Sequence, residues 1–231
     1  MFTPATSEKI WIDCLMLVPE WVPAAKSTVV VAPHPDDETL AAGGLIATQR
    51  ARDIPVLLLA VTDGEAAYPG VSGLAELRRI EQLKAAEALG IPADGIIRLG
   101  LPDSAVSYSQ AALAATIESH IDADTLLIAP WPGDPHPDHE ACGKAAAIAA
   151  GRTGANLIYY FFWTWHRFLP SRLSDLPLRR LSLSLDASSR REKALSCHQS
   201  QLHRADGPPI LPEILLSPAR RPFEIFCIYG D

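Results

Sequence analysis

Residues 28–50 read TVVVAPHPDDETLAAGGLIATQR: a continuous apolar run, then one imidazole and three carboxylates, then an alanine-rich segment. Residues 125–150, TLLIAPWPGDPHPDHEACGKAAAIAA, repeat that plan. The apolar runs Thr28–Ala32 and Thr125–Ala129 lack the alternation of a half-exposed strand and read as strands covered on both faces. Further strands are expected at Val56–Val61, Gly95–Leu99 and Asn156–Phe162. Helices are expected at Thr39–Arg50, Leu74–Leu89 with Gly90 as its stop, Gln110–Ile121 and Glu140–Ala150. Strands alternating with helices predict an α/β fold: a Rossmann-like, mostly parallel sheet flanked by helices, with right-handed crossovers.

After residue 170 the rhythm changes. Seven prolines (Pro170, Pro177, Pro208, Pro209, Pro212, Pro218 and Pro222) break the chain. One helix is expected over Arg190–Leu202, opened by the capping-box pattern Ser189-Arg190-Arg191-Glu192, and a last strand over Phe223–Tyr229. This region is too short and proline-broken for its own core, so residues 1–231 read as one domain, with 203–231 as a proline-rich C-terminal edge strand and cap. A 231-residue chain buries roughly 70 % of its unfolded surface without a metal or disulfide staple.

Composition narrows the function. With 48 % hydrophobic and 20 % charged residues the chain is globular, neither disordered nor coiled coil. The longest apolar stretch, Ile54–Val61, is far short of the roughly 18 residues of a spanning helix, so no transmembrane segment is expected. The N-terminal stretch carries acidic residues and lacks the basic flank of a secretion signal, which points to the cytoplasm. A net charge of −7 argues against nucleic acid as partner. Cys14, Cys142, Cys197 and Cys227 form no C-x-x-C pair and read as reduced, buried thiols, one disulfide in an oxidising compartment being the alternative. A homo-oligomer is compatible with all of this.

Both His-Pro-Asp segments fall where a strand's carboxyl end meets a helix, the rim at which open α/β sheets bind ligands. Pro35 and Pro137 suit a first helical turn. His34 and Asp37, like His136 and His139, are then i, i+3 neighbours that converge on one point. Asp36, about 100° further round the turn, approaches the same point from another angle. Two imidazoles and one carboxylate with a free position describe a catalytic zinc site, whereas structural zinc prefers four ligands, mostly thiolates. Iron(II) fits the same donors, as in the facial triad of oxygenases. Taken singly, Asp37, Glu38, Asp138 and Glu140 read as helix-dipole partners. Two such clusters at matching junctions favour a site.

Other residues read more plainly. Trp163, Trp165 and His166 alternate as a strand would, His120 and His203 read as surface residues, and His198 as a packed residue or a partner behind the ligands. Gly43 and Gly44 permit close helix–sheet packing. No dinucleotide, P-loop or nucleophile-elbow motif occurs.

The segments PHPDDETLAAGG and PHPDH, in that order, resemble the LmbE/PIG-L family of zinc-dependent de-N-acetylases. The likeness extends through Thr62–Glu65 (TDGE), the R-x-x-E of Arg78 and Glu81, Leu99–Ser104 (LGLPDS) and K-x-x-A-x-x-x-H-x-S-Q over Lys193–Gln201, touching most of residues 28–202. It implies zinc on His34, Asp37 and His139, Asp36 as general base, His136 as acid or electrophilic helper, and Arg78 and Asp103 facing substrate. It further implies hydrolysis of the acetamide of an N-acetylglucosamine-type conjugate. Some relatives carry a tyrosine before the second motif, where this chain has Gly133-Asp134-Pro135. A metal-dependent amidohydrolase acting on a non-sugar N-acyl substrate, and a non-catalytic metal- or carbohydrate-binding relative, are the alternatives.

Overall fold

The computed structural model describes residues 3–68, 70–204 and 207–229. In chain order the elements are α1 (Glu8–Leu15), β1 (Ser27–Ala32), α2 (Asp37–Ala51), β2 (Val56–Ala60), α3 (Leu74–Leu89), β3 (Ile96–Arg98), α4 (Gln110–Glu118), β4 (Thr125–Pro130), α5 (Pro137–Thr153) and β5 (Asn156–Tyr160). The C-terminal part adds α6 (Trp163–Arg167), β6 (Leu178–Ser182), α7 (Leu185–Leu195), α8 (Gln199–Leu202), α9 (Glu213–Leu216) and β7 (Phe223–Ile228). The seven strands form one sheet in the order β3-β2-β1-β4-β5-β7-β6. The first five are parallel; β7 runs antiparallel to both β5 and β6.

Alternate side chains of each buried strand feed two cores. Val29, Val31, Leu127, Ala129 and Leu157 pack under α1, α4 and α5. Val30, Ala32, Leu126, Ile128 and Ile158 pack under α2, α3 and α7. That two-sided burial is why these strands read as unbroken apolar runs. Each fully buried Val, Leu or Ile stabilises the fold by roughly 1.5–3 kcal/mol, so the sheet stands without a metal.

Glycine is required at Gly44, where a Cβ would sit 2.6 Å from Leu183 Cδ2. There the Gly44 and Leu45 amides donate to the buried Glu224 of β7 at 2.6 and 2.7 Å, while Arg191 Nη1 donates to the same carboxylate at 3.2 Å. The last strand is thereby tied to the helix that follows β1.

The α/β, mostly parallel sheet matches the expectation, and several local readings change. The helix expected over Arg190–Leu202 starts instead at Leu185, because Ser184, not Ser189, caps it by accepting from the Ala187 amide at 3.1 Å. It ends at Leu195, and the chain re-enters helix only at Gln199. The strand expected to reach Phe162 stops at Tyr160, and Trp163, Trp165 and His166 lie on helix α6 rather than alternating in a strand. Pro137 does occupy the first position of α5, but Pro35 precedes Asp36, the residue that caps α2, and so lies ahead of the first turn. The C-terminal region supplies two strands, since β6 escaped the reading: its two arginines disguise a short edge strand. Of the four free cysteines, Cys142 and Cys227 are buried while Cys14 is exposed.

Candidate active site

Strand order reverses between β1, whose next strand lies on one side, and β4, which lies on the other. At such a switch point two diverging crossovers leave a crevice beyond the strand carboxyl ends. The turn after β1 brings His34, Asp36 and Asp37 there, and the turn after β4 brings His136 and His139. They line a cleft of about 150 Å³ together with Arg78, Asp103, Ser104, Phe162, Trp163, Ile210 and Leu211.

Nitrogens of His34, His136 and His139 all approach within 4.8 Å of one another. Asp37 Oδ2 lies 3.1 Å from His34 Nδ1 and 3.3 Å from His139 Nε2. Behind each of these two imidazoles stands a carboxylate. His34 Nε2 lies 3.1 Å from Asp138 Oδ2 and 3.3 Å from Asp103 Oδ1, and His139 Nδ1 lies 2.8 Å from Asp134 Oδ2. A carboxylate on the far nitrogen fixes ring orientation and tautomer, as in carboxylate–histidine–metal triads. His139 Nε2 is buried and without a hydrogen-bond partner among the described residues. A buried nitrogen aimed at an imidazole–carboxylate pair fits a dication with two nitrogen donors and one oxygen donor, so the residues present suit the zinc that the sequence suggests.

Asp36 joins this cluster in a strained backbone. Its φ is 142°, a conformation costing a non-glycine residue about 1–3 kcal/mol. Burial and the neighbouring Asp37 carboxylate push its pKa up to about 7, against the pull of Arg78, His34 and His139. Burial also opposes ionisation of Asp37, but His139 and His34 outweigh it and hold that carboxyl well below the usual range. Burial pulls His139 down, and Asp37 with Asp134 more than offset it, to about 9. A dication would take the place of those protons on the imidazoles. His136 differs: burial and the other two imidazoles lower it to about 4. It caps α5, its Nδ1 accepting from the Asp138 amide at 3.2 Å. With Nδ1 an acceptor, the neutral ring carries its proton on Nε2. Trp163 stacks at 11° on this ring with centroids 6.3 Å apart, and Arg167 Cζ lies 4.5 Å from the Trp163 ring centroid.

All seven residues singled out in the sequence line this cleft. Arg78, 3 % exposed, donates to the carbonyls of Gly64 at 2.7 Å and Pro35 at 3.0 Å and sits 3.7 Å from Asp36. Asp103 accepts from the Ala66 amide at 2.9 Å and reaches His34, binding two loops together. Sequence reasoning missed Asp134, the acid between Gly133 and Pro135. Its carboxylate takes His139, the Trp163 and Thr164 amides and the Thr164 hydroxyl, which is what bends the chain into α6. It passed over Asp138 as a dipole partner, although that side chain also gathers the Ser104 and Val106 amides at 2.8 and 3.2 Å. The signal was available: an acid five residues before His139. His198 is packed and fully buried, bonded to Thr39 Oγ1 at 3.1 Å; His120 is half-buried.

Residues 29–150 match PIG-L, described as GlcNAc-PI de-N-acetylase. Over 135 residues the chain is 34 % identical to a probable N-acetyl-alpha-D-glucosaminyl L-malate deacetylase 2 of Bacillus subtilis (strain 168), covering 54 % of this chain and 60 % of that protein. The chain thus spans less than two thirds of that relative. In fold it is similar to an A40926 pseudoaglycone deacetylase, Dbv21, with TM-score 0.66 at 23 % identity over 88 % of this chain and 97 % of the other. It is likewise similar to the N,N'-diacetylchitobiose deacetylase of Pyrococcus horikoshii, with TM-score 0.64 at 23 % identity over 78 % and 72 %. The family match takes in both His-Pro-Asp turns, the switch-point cleft between them and more than half of the chain, which belongs to the PIG-L family.

Proposed function

We propose that this protein is a zinc-dependent hydrolase that removes the N-acetyl group from an N-acetylglucosamine-type conjugate. The observation that carries the proposal is the convergence of His34 Nδ1, Asp37 Oδ2 and His139 Nε2, with both imidazoles backed by carboxylates and Asp36 alongside. Bound by those three side chains, zinc supplies Lewis acidity toward an amide carbonyl and toward water. Asp36 accepts the proton of the attacking water and passes it to the leaving amine. A pKa raised to about 7 suits a base at neutral pH. His136, neutral and tied at Nδ1, presents its Nε2–H to the developing oxyanion.

The cleft lining combines polar Asp103 and Ser104, suited to sugar hydroxyls, with apolar Phe162, Trp163, Ile210 and Leu211, suited to the acetyl methyl. The name of the Bacillus subtilis relative, a glucosaminyl malate deacetylase, supports the sugar amide. Among the described residues no helix is long and apolar enough to cross a membrane. We read the substrate as a soluble conjugate met in the cytoplasm.

The test is metal analysis of the purified protein combined with acetate release from a panel of N-acetylglucosamine conjugates and N-acetyl amino acids. Near-stoichiometric zinc and acetate from at least one sugar conjugate are expected. Faster turnover of N-acetyl amino acids than of every sugar would remove the sugar and keep the amidohydrolase. Iron with oxygen uptake and no acetate would overturn both.

A further inference from the structure

We infer that Gln201 is a positioning residue, acting with Arg78 on the carbonyl of Pro35 to hold the strained turn that carries Asp36. The inference rests on the proposed role of Asp36 as base. The Pro35 carbonyl accepts from Gln201 Nε2 at 2.6 Å and from Arg78 Nη2 at 3.0 Å. Both donors belong to buried side chains, 0 % and 3 % exposed. The peptide plane they hold is the one between Pro35 and Asp36, and rotation of that plane changes φ of Asp36, which stands at 142°. Two donors fill both lone pairs of this oxygen. Relaxing the turn would strand two buried N–H groups, so the strained geometry is kept.

Gln201 has no other visible employment for its amide. Its Oε1 is buried without a hydrogen-bond partner among the described residues. A half-satisfied amide is a poor choice for packing alone, because an unpaired buried oxygen is destabilising. Its backbone is held firmly: the amide donates to the His198 carbonyl at 3.1 Å, and the carbonyl accepts from the Leu211 amide at 2.9 Å. The preceding Ser200 donates to Glu81 through its amide at 2.7 Å and its hydroxyl at 2.6 Å. Glu81 lies three residues after Arg78 on α3. The R-x-x-E of α3 and the Ser-Gln of α8, distant in sequence, are two halves of one clamp. Arg78 and Gln201 grip the turn, and Glu81 and Ser200 lock the two helices together.

The test compares the zinc-loaded wild-type protein with Gln201→Met, which keeps length and packing and removes the donor. Labelling with carbonyl-13C proline and 15N aspartate yields one cross-peak for each Pro-Asp pair, and the sequence has three: Pro35-Asp36, Pro102-Asp103 and Pro137-Asp138. The Pro35-Asp36 peak is expected to move and the other two to serve as references. With an N-acetyl sugar substrate, kcat is expected to fall 10- to 100-fold while KM stays within threefold and zinc content is retained. A stationary peak, or kcat within twofold of wild type, or a loss confined to KM, overturns the inference. Should the variant fail to fold, a coupling across the hydrogen bond between Gln201 Nε2 and the Pro35 carbonyl carbon, sought in the wild-type protein, decides it: its absence overturns the clamp. A wild-type protein that releases no acid from any N-acyl substrate overturns the proposed function and the positioning role with it, while the peak shift still reads the clamp separately.

Discussion

Asp134→Asn is the substitution whose effect follows most directly from the hydrogen bonds around the cleft. Asp134 Oδ1 takes the Thr164 amide at 2.7 Å and the Thr164 hydroxyl at 2.6 Å; Oδ2 takes His139 Nδ1 at 2.8 Å and the Trp163 amide at 3.1 Å. An asparagine of the same shape has one oxygen for these two places. With that oxygen at the Thr164 side, its NH2 faces the Trp163 amide and His139 Nδ1. The imidazole then has to surrender its Nδ1 proton and carry one on Nε2, the nitrogen assigned to zinc. Loss of a carboxylate behind a metal-ligating histidine weakens metal binding about 10- to 100-fold. The stranded Trp163 amide and the lost ionic bonds cost about 2–3 kcal/mol in the metal-free protein. For a chain of this size that corresponds to a Tm lowered by roughly 4–12 °C. Zinc affinity measured by competition with a chromophoric chelator, and thermal melts of the metal-free protein, read the two effects independently. Zinc affinity within twofold of wild type would refute the orienting role of Asp134, whatever happened to Tm.

His34→Ala, Asp37→Ala and His139→Ala should each purify folded and zinc-poor, since the two apolar cores do not involve the site; stoichiometric zinc in all three would contradict the ligand assignment. Asp36→Asn should lose about 10²–10⁴ in kcat with zinc content unchanged; equal zinc loss in the Asp36 and Asp37 variants would mean base and ligand are exchanged. Burial, with the Arg78 charge nearby, lowers the pKa of His198 to about 3, whereas the unfolded chain has the ordinary 6.5. Between those values the unfolded state binds the extra proton, so stability is complete above pH 6.5 and falls as pH drops, by about 1.4 kcal/mol per unit for this group. Urea unfolding at pH 6.5 and 5.0 should show a difference about 1.5–2 kcal/mol smaller in His198→Asn than in wild type, and an identical pH dependence in the two proteins would disprove it.

Much of this architecture was legible because burial on both faces leaves a simple mark. The runs at Val29–Val31 and Leu126–Ile128 are apolar throughout, and each ends in a proline-spaced cluster of acids and imidazoles that has no reason to exist in a core. The ligand candidates are local in sequence to those turns. What stayed hidden is long-range: nothing near Asp134 announces that its carboxylate will meet the Thr164 amide thirty residues on, and nothing near Gln201 announces Pro35. The cap of α7 was misplaced because Ser184 and Ser189 are equally good local caps, and only the packing of Ala187 and Ala194 against the sheet chooses between them. β6 was missed because an edge strand with two arginines carries little apolar signal.

The position of β7 bears on how the protein is made. It follows every other described element in sequence, yet it lies inside the sheet, between β5 and β6. A nascent chain emerging N-terminus first can pair its five parallel strands while the outer edge of β5, with Ile158 and Tyr159, waits for a partner still to be translated. An open apolar edge of that kind is a template for association with a neighbouring chain. Closure comes with Glu224, which brings both the missing strand and the acceptor for the Gly44 and Leu45 amides. Emergence of β7, rather than completion of the two His-Pro-Asp turns, is therefore the moment at which this sheet becomes safe from its own copies.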